Sequence, residues 1–445
     1  MTASTHRAPG HPEWLREEER RLCAFAAGSA VPDGFGWLDA RGTVEQDRPA
    51  ATWITARMTH VFSLAHLRGD ADAGRLADHG VAALASGPLR DGALGGWFDR
   101  VPEGRSGVSS SPGNASRERS QNEGVETAGE GSGSLPGKSA YEHAFVVLAA
   151  STATAAGRPG ARELLDEALR VMDTRFWDES AGAVRESWDA GWGTTEKYRG
   201  ANSNMHCVEA FLAAADATGD TLWTRRALAI AERLVHGVAA AHDWRLPEHF
   251  TPAWEPLPDY NRDQPDHPFR PFGSTTGHLL EWARLLVHLE IALTRSGETA
   301  PDWLLPDAES LFAHAVRRGW GTDGEDGFVY TLDWQDGPVV RERMHWVVAE
   351  ATMAAWALAR HTGDAGYDRL YDRWWVYADR FHLDREHGSW HHELDPANRP
   401  AESVWAGKPD VYHAYQAALL PQIGLSTTLA DALSTASATA PGGDA

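Results

Sequence analysis

Six polar residues recur along this chain at nearly regular intervals, each beside a long apolar stretch. They are Arg57, His143, His206, His278, His345 and His413. The five histidines are 63, 72, 67 and 68 residues apart, and the stretches beside them repeat apolar residues at i, i+3 and i+4, as helices do. A repeat of about 65 residues predicts one large domain of helix pairs rather than two ordinary domains.

Apolar periodicity and helix stop signals together predict twelve helices. The predicted ranges are 12–28, 48–68, 72–87, 138–157, 160–174, 202–218, 220–238, 274–295, 302–318, 343–362, 364–381 and 409–421. Helices that carry the polar residues are rich in Ala, Val and Leu and suit a buried inner ring, whereas their partners alternate charged and apolar residues as an outer ring does. The sequence therefore predicts an all-α (α/α)6 barrel, in which residues 1–445 form a single domain.

Four kinds of segment are expected outside these helices. Residues 101–137 lack aromatic residues and are rich in Gly, Ser, Pro and charge, which predicts a flexible insert and explains the longer first interval. Residues 243–272 are rich in Trp, Phe, Tyr and Pro, which predicts an ordered wall over the barrel mouth. Short strands near 325–334 and 388–394 are expected to form hairpins there. From about residue 428 we expect a disordered tail.

Charge and cysteine content exclude several classes of protein. A net charge of -22 and a pI near 5.3 disfavour nucleic acid and anionic membranes as partners. The two cysteines, Cys23 and Cys207, cannot build a disulfide framework. The N-terminus lacks the apolar core of a signal peptide, and no stretch approaches the roughly 18 apolar residues of a membrane span. We therefore expect a cytoplasmic protein that has no nucleic-acid or membrane partner.

Two histidines are each followed by a glutamate three residues later, so each pair shares a helical face. The pairs are His206 with Glu209 and His278 with Glu281. Such pairs can hold a metal, but the di-metal motif runs Glu then His and needs further carboxylates, so we expect no metal. The simplest alternative is that these histidines are core residues whose hydrogen bonds are satisfied inside the protein. That alternative weakens because five histidines share one place in the repeat. Histidines without a metal suit proton transfer near neutral pH.

Two other functions stay open at this point. A glycoside hydrolase needs two carboxylates that flank the glycosidic bond, and Glu281 and Glu350 could supply them. A non-catalytic sugar-binding or protein-interaction barrel would not need several titratable histidines at one mouth. The 20 Trp residues suit stacking on sugar rings, although most are expected to fill wide helical layers. Dinucleotide, P-loop and serine-hydrolase motifs are absent in a fitting context.

Five long segments resemble the N-acylglucosamine 2-epimerase superfamily, and most of all its branch of D-mannose isomerases and sulfoquinovose isomerases. The segments are YRGANSNMHCVEAFLAA (198–214), EHFTPAWEPLPDYN (248–261), FRPFGSTTGHLLEWARLL (269–286), MHWVVAEATMAAWAL (344–358) and GKPDVYHAYQAALLP (407–421). The resemblance spans nearly the whole chain from WLDARG at 37–42, whereas the 101–137 insert has no counterpart in the family pattern.

The resemblance implies an (α/α)6 barrel that needs no metal or nucleotide cofactor and uses two catalytic histidines, His278 and His413. It implies a sugar pocket lined by Arg57, Tyr141, Asn202, His206, Glu281, Trp346 and Glu350, with Trp53 and Phe269 as apolar walls. Where sulfoquinovose isomerases place a Gln before the Asp of the last motif, this chain has Pro409, which has no side-chain donor for a sulfonate. This departure favours a neutral hexose such as mannose, and D-mannose isomerases become the nearest match in the branch.

The implied reaction interconverts D-mannose and D-fructose, with D-lyxose and D-xylulose as further candidates, through ring opening and a cis-enediol. We expect His278 to move protons at the ring and hydroxyl oxygens and His413 to carry the C2 proton to C1. Arg57 would stabilise the enediolate. Histidines acting on both faces would instead give a 2-epimerase, which stays an alternative together with a sulfoquinovose isomerase. The oligomeric state and the role of the insert stay open.

Overall fold

The structure, a computed structural model, describes residues 8–105 and 136–439. Those ranges contain the helices α1 (Pro12–Ala26), α2 (Thr52–Leu67), α3 (Ala71–Ser86), α4 (Ala140–Ala155), α5 (Ala161–Val171), α6 (Ala201–Thr218), α7 (Leu222–Ala231), α8 (Thr276–Arg295), α9 (Leu304–Gly319), α10 (His345–Thr362), α11 (Ala365–Tyr377), α12 (Tyr412–Ile423) and α13 (Leu429–Thr439). The first twelve match the twelve predicted helices. Three outer helices continue as π-helical turns over Met172–Phe176, Glu232–Ala239 and Ala378–His382.

The helices form two concentric rings. The even-numbered helices α2 to α12 pack side by side in order, and α12 returns to α2, which closes the inner ring. Each odd-numbered helix from α3 to α11 packs on the inner helix that precedes it, and α1 packs on α12. Side chains of the inner helices are buried almost all round, as their Ala, Val and Leu content predicts. The predicted (α/α)6 barrel is confirmed. No helix within 8–105 and 136–439 combines the length and apolar character that a membrane crossing requires.

Twelve two-residue strands lie in the segments that connect the helices. They are β1 (Ala30–Val31), β2 (Gly34–Phe35), β3 (Lys138–Ser139), β4 (Trp177–Asp178), β5 (Ala183–Val184), β6 (Ser187–Trp188), β7 (Arg199–Gly200), β8 (His249–Phe250), β9 (Ser274–Thr275), β10 (Thr331–Leu332), β11 (Arg343–Met344) and β12 (Glu393–Leu394), all within the described residues. The hairpins predicted near 325–334 and 388–394 are present. Bridges join Leu332 to Pro338 and Leu394 to Pro400, and the N–H groups of Val339 and Ala401 donate to the carbonyl oxygens of Thr331 and Glu393. Strands β10 and β12 also pair with β9 and β11, which directly precede α8 and α10.

One hydrogen bond repeats at the start of five inner helices. The first N–H of α2, α4, α6, α8 and α10 donates to the carbonyl oxygen of a loop residue on the paired strand segment, at 2.7–3.1 Å. The acceptors are Asp99, Glu186, Glu248, Tyr330 and His392. The bond satisfies a helix N–H that would otherwise lack a partner and fixes five loops over the same end of the barrel. This end, formed by the N-termini of the inner helices, is the mouth.

The predicted insert is attached at the mouth. Ala51, just before α2, forms a bridge with Arg100, the Val101 N–H donates to Ala50 O at 2.9 Å, and the Asp99 N–H donates to Gly137 O at 3.1 Å. In other helix pairs of the barrel, the equivalent strand continues into a short turn where this one continues into the insert. One such turn is closed by the bridge between Trp188 and Thr195. The flexibility predicted for 101–137 concerns mainly residues 106–135, which lie outside the described residues.

The predicted disordered tail from about 428 is wrong for residues 429–439, which form α13. Leu429 and Leu433, one helical turn apart, are buried where α13 packs on α2, α4 and α12. Arg295 of α8 holds the start of this helix through hydrogen bonds to Asp431 and Thr427. The Ala, Ser and Thr content of the segment obscured its short apolar stripe, which closes the end of the ring opposite the mouth.

Candidate active site

One cavity of about 610 Å³ opens to solvent at the mouth. Its walls are Trp53, Arg57, Tyr141, Asn202, His206, Pro268, Phe269, His278, Glu281, Tyr330, His345, Trp346, His392, Trp405, Pro409, Asp410 and His413. Most of these side chains come from the first two turns of inner helices, and the rest come from the loops that cover the mouth. Ten of the eleven predicted site residues therefore share one cavity.

Glu350 is the exception among the predicted site residues. It is fully buried behind His413 and does not line the cavity. Its Oε1 accepts a hydrogen bond from His413 Nδ1 at 2.9 Å, and its Oε2 accepts one from Arg284 Nε at 2.9 Å. Sequence position alone could not separate a wall residue from one directly behind the wall.

His143 is the exception among the six recurring polar residues. Its Nε2 accepts the N–H of Trp97 at 3.1 Å, and its Nδ1 donates to Ser139 O at 2.6 Å, so the ring is satisfied inside the protein. His143 is the fourth residue of its helix, whereas Arg57 and His206 are each the sixth. A shift of two residues turns a helical side chain by about 200°, so His143 points away from the cavity.

His413 is held as a proton acceptor. Burial would raise the pKa of Glu350, but Arg284 and His413 outweigh burial and keep that pKa below its ordinary value. An ionised carboxylate only accepts, so His413 Nδ1 carries the proton and Nε2 keeps its lone pair. Burial also lowers the pKa of His413, which keeps the ring neutral near pH 7 despite the opposing effect of Glu350.

His278 has a carboxylate partner of its own, and it is not the predicted one. Its Nδ1 lies 2.9 Å from Oε1 of Glu248, in the aromatic segment over the mouth, whereas Glu281 lies elsewhere in the cavity. Trp346 contacts both histidines, with ring centroids 5.2 Å from His278 and 5.6 Å from His413. The cavity thus contains two imidazoles that are each oriented through Nδ1 by a different glutamate.

Several buried polar atoms of the cavity have no hydrogen-bond partner among the described residues. They are both carboxyl oxygens of Glu281, Nδ1 of His206, Oδ1 of Asn202 and Nε2 of His345 and His392. His206 Nδ1 lies 3.6 Å from Glu281 Oε1, too far for a hydrogen bond. Burial and the neighbouring Glu350 raise the pKa of Glu281 well above its ordinary value, and burial lowers that of His206 well below. Both shifts favour the neutral form of the group.

Two groups of ligand-type atoms lie close enough to consider a metal. His206, Glu209 and Glu281 form one, and Glu281, Glu350 and His413 form the other, each within 4.8 Å among the described residues. Arg284 disfavours a cation in either group because its guanidinium lies 3.9 Å or less from all three glutamates. Metal independence stays a prediction, which exhaustive EDTA treatment followed by an activity assay tests.

Arg57 of α2 supplies a fixed positive charge to the cavity wall. Its Nη1 donates to Asp410 Oδ2 at 3.1 Å and its Nη2 donates to the Tyr141 hydroxyl at 3.0 Å. Its guanidinium also lies over the rings of Phe145 and Tyr412, 4.3 and 4.8 Å from the centroids. Although burial opposes charge, Tyr141 and Asp410 raise the pKa of Arg57 above its ordinary value.

The sequence analysis missed several cavity residues that come from loops. Glu248, Tyr330 and His392 are the residues whose carbonyls cap inner helices. Each stands three residues before an Asp or Thr whose side chain closes a turn, in the segments EHFT, YTLD and HHELD. This short repeat was a usable signal for Glu248, Tyr330 and His392. We find no comparable signal for Trp405, whereas Asp410 stands in the motif at 407–421 but was not assigned to the site.

Comparison with known proteins agrees with this geometry. The profile of the N-acylglucosamine 2-epimerase (GlcNAc 2-epimerase) family matches residues 34–112 and 113–417. A D-mannose isomerase from Thermobifida fusca is 55% identical over 437 residues, which cover 98% of this chain and 100% of that protein. A D-mannose isomerase from Pseudomonas cannabina pv. alisalensis is 49% identical over 427 residues and 96% of each chain.

A solved structure gives the same result at the level of the fold. The crystal structure of a D-mannose isomerase superposes with a TM-score of 0.78 at 27% identity, covering 91% of this chain and 96% of that one. The chain therefore belongs to the N-acylglucosamine 2-epimerase family and is an isomerase.

Proposed function

We propose that this protein interconverts D-mannose and D-fructose by moving a proton between C2 and C1 of the open-chain sugar. The observation that carries the proposal is a single cavity with two imidazoles, each oriented by its own glutamate, facing a fixed arginine. Relatives that are 55% and 49% identical over nearly the full chain are D-mannose isomerases, which supports the choice of sugar.

His413 is the group that acts on carbon in this proposal. Its Nε2 takes the C2 proton to form a cis-enediol and returns a proton to C1, because Glu350 holds Nδ1 in its protonated form. Placing the base within reach of both carbons on one face gives the ketose. A second base on the opposite face would return the proton to C2 and give the epimer.

His278 acts on oxygen in this proposal. Ring opening requires a proton at the ring oxygen and the loss of one from the C1 hydroxyl, and an imidazole near neutral pH can perform both steps. Glu248 fixes the orientation of His278 by a 2.9 Å contact at Nδ1. Arg57 stabilises the negative charge that develops on the enediolate oxygens, an effect of about 3 kcal/mol for one well-placed donor.

The cavity provides the remaining contacts that a monosaccharide needs. Glu281, His206 and Asn202 offer neutral polar atoms that are unpaired in the described residues and match sugar hydroxyls. Trp53 and Phe269 lie at the same mouth with ring centroids 6.4 Å apart and offer apolar surface to the C–H faces of a pyranose. The wall has no side-chain donor at Pro409, which favours a neutral hexose over a sulfonated one.

The glycosidase alternative lacks its predicted second carboxylate, Glu350, in the cavity wall. Glu281 lines the cavity, but Glu350 lies behind His413 and is held on both oxygens by Arg284 and His413. Two carboxyl groups that flank a bound sugar are the requirement of that chemistry. Wild-type protein should therefore release nothing from aryl mannosides.

Product analysis by NMR tests the proposal. Purified protein is incubated separately with mannose, fructose, glucose and sulfoquinovose. We expect mannose and fructose to reach the same mixture from either side, whereas glucose and sulfoquinovose stay largely unchanged. Glucose formed from mannose without accumulation of fructose would show that the reaction is 2-epimerisation, and conversion of sulfoquinovose in preference to mannose would change the assigned substrate.

A further inference from the structure

Arg284 lies beneath the mouth cavity and does not line it. Its side chain is buried and contacts one carboxylate at hydrogen-bond distance, with Nε 2.9 Å from Glu350 Oε2 and Nη2 3.4 Å from Glu350 Oε1. Two further carboxyl groups, of Glu209 and Glu281, lie 3.9 Å from Nη2. One guanidinium therefore lies within 4 Å of three carboxyl groups, one each from α6, α8 and α10.

Only one of these three carboxyl groups needs to be ionised to balance the charge. Burial raises the pKa of both Glu209 and Glu281, whereas Arg284 and His413 hold that of Glu350 low against the effect of burial. His288, which also faces this group from α8, is neutral because burial lowers its pKa to about 4. Burial thus favours the neutral forms of Glu209 and Glu281, and Glu350 is the carboxyl group that Arg284 favours as an ion.

The protonation of Glu350 decides which nitrogen of His413 can act as a base. Ionised Glu350 accepts the Nδ1 proton and leaves a lone pair on Nε2. A protonated Glu350 would instead donate its O–H to Nδ1, and the ring proton would move to Nε2. A fully buried carboxylate without a cation becomes protonated because its desolvation is no longer offset.

We propose that Arg284 is a positioning residue that sets the tautomer of His413 by keeping Glu350 ionised. The consequence for turnover rests on the proposed isomerase function, whereas the tautomer itself does not. Arg284 does not line the cavity, and both of its hydrogen bonds among the described residues go to Glu350, so its effect on His413 passes through that carboxylate. The residue is thereby distinguished from Arg57, which faces the substrate directly.

The first experiment reads the tautomer without using activity. Protein labelled with 15N at histidine is examined by NMR at pH 7.5, and the His413 signals are assigned by their loss in His413→Gln. We expect the wild type to carry the proton on Nδ1 and Arg284→Met to carry it on Nε2. The matched control is Arg226→Met, which removes a buried arginine paired with Asp173 from outer helix α7 and should leave His413 unchanged.

The second experiment reads the pH dependence of turnover. At pH 7 we expect Arg284→Met to lose about 100-fold or more in kcat, as expected for a catalytic histidine in the wrong tautomer. Without Arg284 we expect the pKa of Glu350 to rise. Activity of the variant should therefore recover as the pH passes that higher pKa, so the acidic limb of its kcat profile moves to higher pH. Glu350→Gln cannot ionise and should be impaired without that recovery.

The outcomes separate this proposal from the proposed function. If Arg284→Met keeps the Nδ1 proton and the wild-type pH profile, the role of Arg284 is overturned while the isomerase function stands. If the wild type fails to convert mannose, the NMR measurement still decides the tautomer. If Arg284→Met does not fold, Arg284→Gln, which removes the charge but keeps a polar side chain, takes its place, and an acidic limb that stays in place in that variant also overturns the proposal.

Discussion

The cavity and the buried ion pair of Lys138 show two opposite ways to place polar groups inside this barrel. Lys138 is fully buried, and its Nζ donates to Asp91 Oδ2 at 2.7 Å and to Gly95 O at 2.9 Å. The other oxygen of Asp91 accepts two backbone N–H groups, so every group in the pair is satisfied. In the cavity, by contrast, both oxygens of Glu281 lack a partner in the described residues.

The difference indicates which buried polar groups serve the fold and which serve a ligand. An unpaired buried polar group costs about 1–3 kcal/mol, so a fold tolerates a cluster of them only where something else binds. The Lys138 pair fixes the strand that precedes α4 and therefore supports the mouth. The unpaired groups of the cavity instead match the hydroxyl groups of a sugar.

Removing the charge from the satisfied pair should have the largest effect on stability. We expect Lys138→Met to lower the free energy of unfolding by about 3–5 kcal/mol, because it leaves Asp91 without its cation. Urea denaturation of the wild type, Lys138→Met, Asp91→Asn and the double variant measures the coupling. Turnover on mannose, measured well below the melting temperature, should stay close to wild type. A loss of turnover as large as that of a cavity variant would erase the contrast between the two regions.

Removing an unpaired cavity group should instead lower turnover and leave stability intact. We expect Glu281→Leu to leave the free energy of unfolding unchanged or higher, because two unpaired buried oxygens disappear. Its kcat/KM on mannose should fall by about 10–100-fold, the value of a hydrogen bond or two to substrate. Glu281→Gln is the matched control, and it should keep more activity since the amide resembles the neutral acid. A clearly destabilised Glu281→Leu would mean that this carboxyl serves the fold.

The smallest expected effect concerns pH. Because burial lowers the pKa of His413, its base form should persist below the usual histidine range, and kcat/KM should decline only below about pH 6.5. His60 and His143 are buried with pKa values lowered to about 3, so the unfolded chain binds more protons between pH 6.5 and 3, and stability falls as pH falls. Circular dichroism at each pH separates this loss of structure from titration of the base. An acidic limb above pH 7 in fully folded protein would contradict the assignment.

Much of the fold could be predicted from the sequence because the barrel repeats. The apolar period and the helix stop signals located twelve helices, but α13 was missed because its two buried leucines stand in a segment rich in Ala, Ser and Thr. Pairing between strands of different segments could not be predicted, because it depends on contacts between residues far apart in the chain. The pairing of β9 with β10, for example, joins residues 274–275 to 331–332.

The candidate site was predictable to the extent that its residues lie on helices. A resemblance in long motifs located ten wall residues, but it could not distinguish Glu350 behind the wall from Glu281 in it. The partner of His278 was missed because Glu248 lies 30 residues earlier on a loop, whereas the sequence suggested the glutamate three residues later. Side chains at i and i+3 share a helical face without touching, and the closed ring brought other carboxylates nearer.

Hydrogen exchange at C2 of the sugar tests the role of His413, and with it the account of the cavity, most directly. The wild type and His413→Ala are incubated with mannose in deuterated water, and the label at C1 and C2 is followed by NMR. We expect the wild type to yield fructose with less than full deuterium at C1. In a fraction of turnovers one base can transfer the original C2 proton to C1 on the same face before that proton exchanges with solvent. His413→Ala should still bind the sugar and lose C2 exchange by about 100- to 10,000-fold. Exchange and turnover near the wild-type rate in His413→Ala would contradict the account.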